Sequence, residues 1–232
     1  MTVRFVEPRS GFLVQASEVE FPAVSKPPRK PGIYRNVVKR LVDVTAILLA
    51  VPVVLPLVAG LAVLVASEGG SPFYSQMRVG RGGKRFRMWK LRSMVSDADA
   101  RMDEYLAANP EARAEWDSTQ KLRHDPRITR IGQLIRKSSL DELPQLFNVL
   151  RGDMSLVGPR PMMIQQQSLY PGQAYYALRP GITGFWQTAG RNRTTFEARA
   201  EYDTSYEADL SLLSDARILV RTVSVVVKGT GC

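Results

Sequence analysis

Leu41–Ala66 reads LVDVTAILLAVPVVLPLVAGLAVLVA, and its only charge is Asp43. As one straight helix it would be about 39 Å long, enough to cross a hydrocarbon core of roughly 30 Å. Two features oppose a simple span. Pro52 and Pro56 fall mid-segment, where each removes a helix hydrogen bond and favours a kink. Both flanks are basic, with Arg35, Lys39 and Arg40 before and Arg78, Arg81, Lys84, Arg85 and Arg87 after. The positive-inside rule keeps such flanks on the cytoplasmic side. A segment with both ends on one side must go in and come back, so it reads as a re-entrant helix broken at Pro52 and Pro56. A plain transmembrane span is the main alternative, and a buried core helix the weakest.

The whole chain has 232 residues, enough for one domain with its own core. Its net charge of +10 points to nucleic acid or an anionic membrane surface. No zinc-finger spacing or RNA-binding sheet signature is present, and the apolar segment favours membrane lipids over nucleic acid as the partner. A single cysteine, Cys232, excludes an intramolecular disulfide. The lone His124 lies in a polar loop and is given no catalytic role. Residues 1–32 carry Pro8, Pro22, Pro27, Pro28 and Pro31 among basic residues, and read as a flexible or extended tail rather than a signal peptide. The expected organisation is therefore tail 1–32, membrane segment 33–68 and a domain over 69–232.

Pro72–Val79 and Lys84–Arg92 flank Arg81-Gly82-Gly83 and predict a hairpin. Phe73, Tyr74, Phe86, Met88 and Trp89 are expected to form one packed face. Ala98–Leu122 predicts two surface helices interrupted at Asn109-Pro110. Leu140–Leu150 predicts a helix, with Ser139 and Glu142 at capping-box spacing and Pro144 awkward for that register. Leu210–Val227 is apolar with interspersed Arg217 and Arg221, which suits an amphipathic helix on a membrane or on the domain core.

The chemistry concentrates in Ser139-Leu140-Asp141-Glu142-Leu143-Pro144. Two adjacent carboxylates stand among Arg136, Lys137 and Arg151. A surface ion-pair cluster is the bland reading, and the setting argues against it. Consecutive residues on a helix point in different directions, so a shared-proton pair is not expected. Two divergent carboxylates can take two jobs, one as nucleophile and one as metal ligand or base. Oxygen ligands beside phosphate-binding cations suit Mg²⁺, whereas the lack of a His cluster argues against zinc. Lys90, Arg136, Arg160 and Arg191 are candidate phosphate clamps. Arg160 is favoured because Pro159 and Pro161 stiffen its backbone.

The run Ser138–Pro161 (SSLDELPQLFNVLRGDMSLVGPRP) resembles the bacterial monotopic phosphoglycosyl transferases, or bacterial sugar transferases. So do Lys39–Asp43, Ser71–Gly80 with Arg78, Trp89–Met94 and Arg179–Gly184, in order from about Tyr34 to the C-terminus. The length and the Ala98–Leu122 insertion resemble the small members that initiate exopolysaccharide repeat units. The resemblance implies that Asp141 attacks the β-phosphate of a UDP-hexose and expels UMP. The aspartyl-phosphosugar then passes to polyprenyl phosphate. It further implies Glu142 as the second acid of the dyad with Mg²⁺, Lys90 and Arg136 as essential cations, and a Pro159-Arg160-Pro161 substrate motif. Pro56 matches the proline that breaks the re-entrant helix, although Leu55 stands where serine is common.

The fold class expected is α+β, mostly α, with a re-entrant membrane helix, amphipathic interfacial helices and a small β-hairpin around a single catalytic domain. The active site is expected on the cytoplasmic face of a bacterial inner membrane. A transferase or hydrolase without a covalent intermediate is one rival. A membrane-anchored, non-catalytic basic protein in polymer assembly is the other. The sequence leaves open the hexose, glucose or galactose, and the oligomeric state, a homo-oligomer included.

Overall fold

A computed structural model describes residues 32–119, 122, 124–189 and 196–227. The proline-rich tail before Gly32, Arg191 and Cys232 lie outside them. The described chain is mostly helical with a small sheet, an α+β arrangement. A π-helical turn, Tyr34–Val38, leads into α1, Lys39–Ala66. Strands β1, Phe73–Val79, and β2, Arg85–Leu91, form the hairpin. Then come α2, Ala98–Ala108, α3, Pro110–Thr119, and α4, Arg130–Lys137. A 3₁₀ turn, Leu140–Glu142, precedes α5, Gln145–Arg151. The second half holds β3, Ser155–Val157, β4, Met162–Met163, α6, Ala174–Ala177, and β5, Gly181–Thr183. It ends with α7, Phe185–Ala189, α8, Arg199–Ala208, and α9, Leu212–Val227.

Pro52 and Pro56 lie inside one helix rather than between two. The expected interruption is thus not a gap in helical structure. Proline's fixed φ is compatible with a helix, and its cost is the missing N–H. By helix geometry, the carbonyls of Leu48 and Pro52 lose their usual donors. The stripe that faces the domain explains how α1 is held. Asp43, Ile47, Leu61 and Val65 are buried, with Val51 and Ala62 packed beside them. The rise from Asp43 to Val65 is about 33 Å, and the segment rests on the folded domain near both of its ends. The opposite face exposes Leu48, Leu49, Val53, Leu55, Val63 and Leu64.

Polar contacts fix both ends of α1. Arg40 donates to the carbonyls of Val149 and Leu150 at the C-terminus of α5, where a cation also complements the helix dipole. Asp43 accepts from the Ser155 hydroxyl at 2.7 Å and the Leu156 N–H at 3.2 Å. At the far end, Arg92 donates to the Val65 carbonyl at 2.9 Å. The helix is long and apolar enough to cross a membrane and is not a fully buried core element.

The hairpin forms as expected, with Phe73 opposite Leu91 and Val79 opposite Arg85. Gly82 and Gly83 take positive φ in the turn, which glycine adopts without steric cost. The expected aromatic face does not form as one surface. Phe86 and Met88 enter the core, while Phe73 and Tyr74 are exposed and on opposite sides of the strand. β4 adds to the free edge of β1. Tyr175 ties that join, because its hydroxyl accepts from Met162 N–H and donates to the Val79 carbonyl. The expected break between α2 and α3 falls at Asn109. α9 buries Asp215 and Ile218 against the domain and exposes Leu212, Leu213, Val220 and Val223.

β3 and β5 pair in parallel and bring two glycine-containing motifs into backbone contact. A Cβ on Gly181 would lie 2.1 Å from the Gly158 nitrogen, and one on Gly184 2.0 Å from the Gly158 carbonyl oxygen. No side chain fits there. Gly181→Ala should therefore destabilise by about 3 kcal/mol or more, seen as a lower thermal midpoint in detergent. Gly60→Ala, in α1 with open space around it, should change stability by no more than about 1 kcal/mol. An unchanged midpoint in Gly181→Ala would refute the close-approach account.

Candidate active site

The dyad sits on the 3₁₀ turn between α4 and α5. The capping box expected at Ser139 is not formed. Ser139 adopts a left-handed conformation with φ 57° and makes no side-chain cap. The left-handed residue reverses the chain after α4. Pro144 then precedes α5, where its missing N–H costs nothing. Asp141 is buried and Glu142 half-buried. Although consecutive, both reach one cation. Lys90 Nζ lies 2.8 Å from Glu142 Oε1 and 3.6 Å from Asp141 Oδ2. The tight turn directs both carboxylates toward β2, more convergent than an α-helix would give.

Lys90 is on β2, and its position is set by a buried side chain outside the dyad. Asn148, on α5, accepts from the Trp89 N–H at 3.1 Å and donates to the Arg87 carbonyl at 2.8 Å. Its amide thus acts as a strand partner for the edge of β2. It also donates to Asp153 at 3.3 Å. α5 follows the dyad directly, so this one side chain ties the segment carrying Lys90 to the segment carrying the carboxylates. The signal in the sequence was a polar pair, Gln145 and Asn148, one turn apart and both buried beside Val149.

Burial is the largest influence on Asp141 and raises its pKa above the usual carboxylate value. Glu142 adds to the rise, whereas Lys90 and Arg136 oppose it. Arg136 occupies the last turn of α4. The two cations thus favour the anionic carboxylate that a nucleophile requires. Among the described residues no group of three or more His, Cys, Asp or Glu could hold a metal alone. The two hard carboxylates match a Mg²⁺ shell only if substrate oxygens and water complete it.

A second cationic group gathers the Gly158–Pro161 motif. Arg78, on β1, is half-buried, and desolvation together with the charges of Arg160 and Arg199 lowers its pKa to about 10. Its guanidinium donates to Gln76 at 2.6 Å, and its Nε is buried without an acceptor. Arg160 is exposed, Pro161 half-buried and Pro159 fully buried. Arg199, on α8, donates to the Arg160 carbonyl at 2.7 Å and stacks on Trp186 and Phe196, with ring-centre distances of 5.0 and 4.8 Å. Arg199 was not anticipated, since an arginine in a short helix carries no local sign of burial. On β1, Arg78 is four residues from Tyr74, the partner of Lys90. At about 3.3 Å per residue, the two cationic groups stand roughly 13 Å apart along the strand.

The model of the bacterial sugar transferase family matches residues 34–229. The chain is 47% identical over 195 residues to a UDP-galactose-lipid carrier transferase of Erwinia amylovora, covering 83% of this chain and 41% of that protein. It is 45% identical over 195 residues to an undecaprenyl-phosphate galactose phosphotransferase of Salmonella typhimurium, again 83% of this chain and 41% of the other. The exopolysaccharide production protein ExoY of Rhizobium meliloti is 41% identical over 210 residues, which are 88% of this chain and 93% of that one. This chain thus spans less than half the length of the first two relatives and nearly all of the third. With a family-wide match over the region that holds both cationic groups and the dyad, the chain belongs to the bacterial sugar transferase family.

Proposed function

We propose that the protein transfers a hexose-1-phosphate from a UDP-hexose to polyprenyl phosphate, and so initiates an exopolysaccharide or related glycoconjugate. The observation that carries this reading is the buried Asp141 carboxylate with Lys90 between it and Glu142. The names of the relatives, a UDP-galactose-lipid carrier transferase and an undecaprenyl-phosphate galactose phosphotransferase, support the same donor and acceptor classes.

Asp141 attacks the β-phosphorus of the donor. A carboxylate oxygen bonds to phosphorus as the bond to the bridging oxygen breaks, and UMP leaves with that electron pair. A phosphate oxygen of the acceptor then attacks the same phosphorus. The acyl-phosphate bond breaks, Asp141 is restored, and polyprenyl-diphospho-hexose is released. Lys90 and Arg136 offset the charge gathering on the phosphoryl oxygens. Arg78, Arg160 and Arg199 hold the remote part of the donor. Asp141 and Glu142 would hold Mg²⁺ together with donor oxygens. When bound, the ion offsets charge on the transferred phosphoryl group and the leaving UMP.

The exposed apolar face of α1 supports a placement at the membrane. Its apolar outer face meets lipid, while its inner stripe rests on the domain at both ends. Spanning the bilayer upright would drag the charged face of the domain into hydrocarbon, which costs far more than lying in one leaflet. The active site then faces the cytoplasm, where UDP-hexoses are made.

Three outcomes test these assignments. Asp141→Asn should lose turnover by on the order of 10³-fold or more while keeping its fold. Intact-mass analysis with UDP-hexose and no acceptor should show a phosphohexose adduct in the wild type and none in the variant. An adduct elsewhere, or wild-type turnover by Asp141→Asn, would sink the nucleophile. Excess EDTA should abolish UMP release, Mg²⁺ should restore it, and Glu142→Gln should remain severely impaired. Full activity in chelator overturns the metal role.

For topology, Cys232→Ser removes the native thiol, and Gly32→Cys or Ser71→Cys then reports one flank of α1. Both should resist an impermeant maleimide in intact cells and label after permeabilisation. Labelling of either from outside means that α1 spans.

A further inference from the structure

Five cations gather where α1 begins, away from the dyad. Arg35, Lys39, Arg81 and Arg179 line a cavity, together with Asp43 and Tyr206. Arg40 stands beside it, 3.7 Å from where a Cβ of Gly152 would be. The helix α5 separates this cluster from the active site. Arg40 and Arg179 hold carbonyls at its C-terminal end, and the dyad turn precedes its N-terminal end. Seven residues of helix make that separation about 10 Å.

The acids nearby are already engaged. Asp43 is bound to Ser155 and Leu156. Asp215 accepts from Lys39, from the Tyr34 hydroxyl at 2.6 Å and from the Tyr206 hydroxyl. Glu207 takes Arg35 at 3.0 Å. The Arg35 Nε is nevertheless buried without an acceptor. Arg179 donates to the Gly152 carbonyl at 2.9 Å, and burial with the charges of Arg81 and Arg40 lowers its pKa. Arginines that repel one another around a cavity, beside an orphaned donor, favour a bound anion.

The setting decides which anion. Two helices with exposed apolar faces start at the rim. α1 presents Leu41 and Val42, and α9 presents Leu212 and Leu213. An anionic head with apolar chains attached satisfies both features, whereas a free nucleotide or phosphate uses only the first. We propose that the Arg35–Arg81–Arg179 cavity binds the phosphate of an anionic phospholipid, whose acyl chains run along α1 and α9. The inference rests on the membrane placement above and not on the chemistry of the dyad. A lipid held there fixes the depth of the α1 root in the leaflet.

The test uses the full chain in neutral detergent and reads its thermal midpoint. Phosphatidylglycerol should raise the midpoint saturably, by about 5 °C or more at a hundredfold excess over Kd. Phosphatidylcholine and millimolar inorganic phosphate should not. Arg81→Glu should abolish the shift, and Arg179→Gln should reduce it, each compared with its own lipid-free midpoint. Arg113→Glu, on α3, should retain it. A shift that persists in Arg81→Glu, or is lost equally in Arg113→Glu, overturns the site. A phosphate shift equal to the lipid shift and lost in Arg81→Glu overturns the lipid as its source. Flotation on phosphatidylcholine vesicles separates the two readings. Failure to float refutes the membrane placement, while flotation without a phosphatidylglycerol-specific shift refutes only this site.

Discussion

The Asn148 amide is the joint on which the candidate active site depends. An exposed strand edge needs partners for its N–H and carbonyl groups. On β2 those partners come from one side chain rather than from another strand. The consequence is geometric. A strand partner would fix β2 to a sheet, but Asn148 fixes it to α5, and α5 follows the dyad. The ammonium and the carboxylates therefore move as one unit. The opposite end of α5 is held by Arg40 from α1. A seven-residue helix, too short to be stable alone, is thus clamped at one end by α1 and along its side by β2. The turn that carries Asp141 and Glu142 inherits that rigidity.

The two cationic groups of the proposed site differ in physical character. Lys90 and Arg136 act on a buried carboxylate and counter the effect of burial. Arg199 is buried and Arg78 half-buried, Arg199 helps to lower the Arg78 pKa, and the buried Asp203 and the stacked Trp186 and Phe196 support Arg199. The first arrangement is balanced before substrate arrives. The second leaves the Arg78 Nε without an acceptor, which an anionic substrate would supply. Binding energy is thus available at a distance from the reacting phosphorus, where it can be used to align the donor.

What the sequence made legible was what short spacing controls. Asn109-Pro110 divided two helices, Arg81-Gly82-Gly83 turned a hairpin, and Asp141-Glu142 stood out by its neighbours. The capping box failed because a left-handed Ser139 satisfied the chain reversal first, and local spacing cannot report a backbone sign. Phe73 and Tyr74 cannot share one packed face because consecutive strand residues point to opposite sides, and both are exposed. Arg199, Asn148 and the cavity at Arg179 were missed because each depends on partners many tens of residues away. For α1, composition announced a membrane segment and prolines announced trouble for a straight helix. The stripe that seats it on the domain emerged only with the partners Val149, Met154 and Ile135 in place.

The bond between Asp43 and Ser155 joins residues 112 positions apart. At about 5–20 residues per second, the ribosome completes the first roughly 6–22 s before the second exists. Throughout that interval the apolar helix has emerged, or is emerging, while its seat is not yet made. Its carboxylate lacks the hydroxyl and amide that later receive it, and its inner stripe is as bare as its outer one. The bilayer is the only apolar phase then on offer. On the proposed membrane placement, this order lets the helix meet lipid before the domain that will seat it is complete.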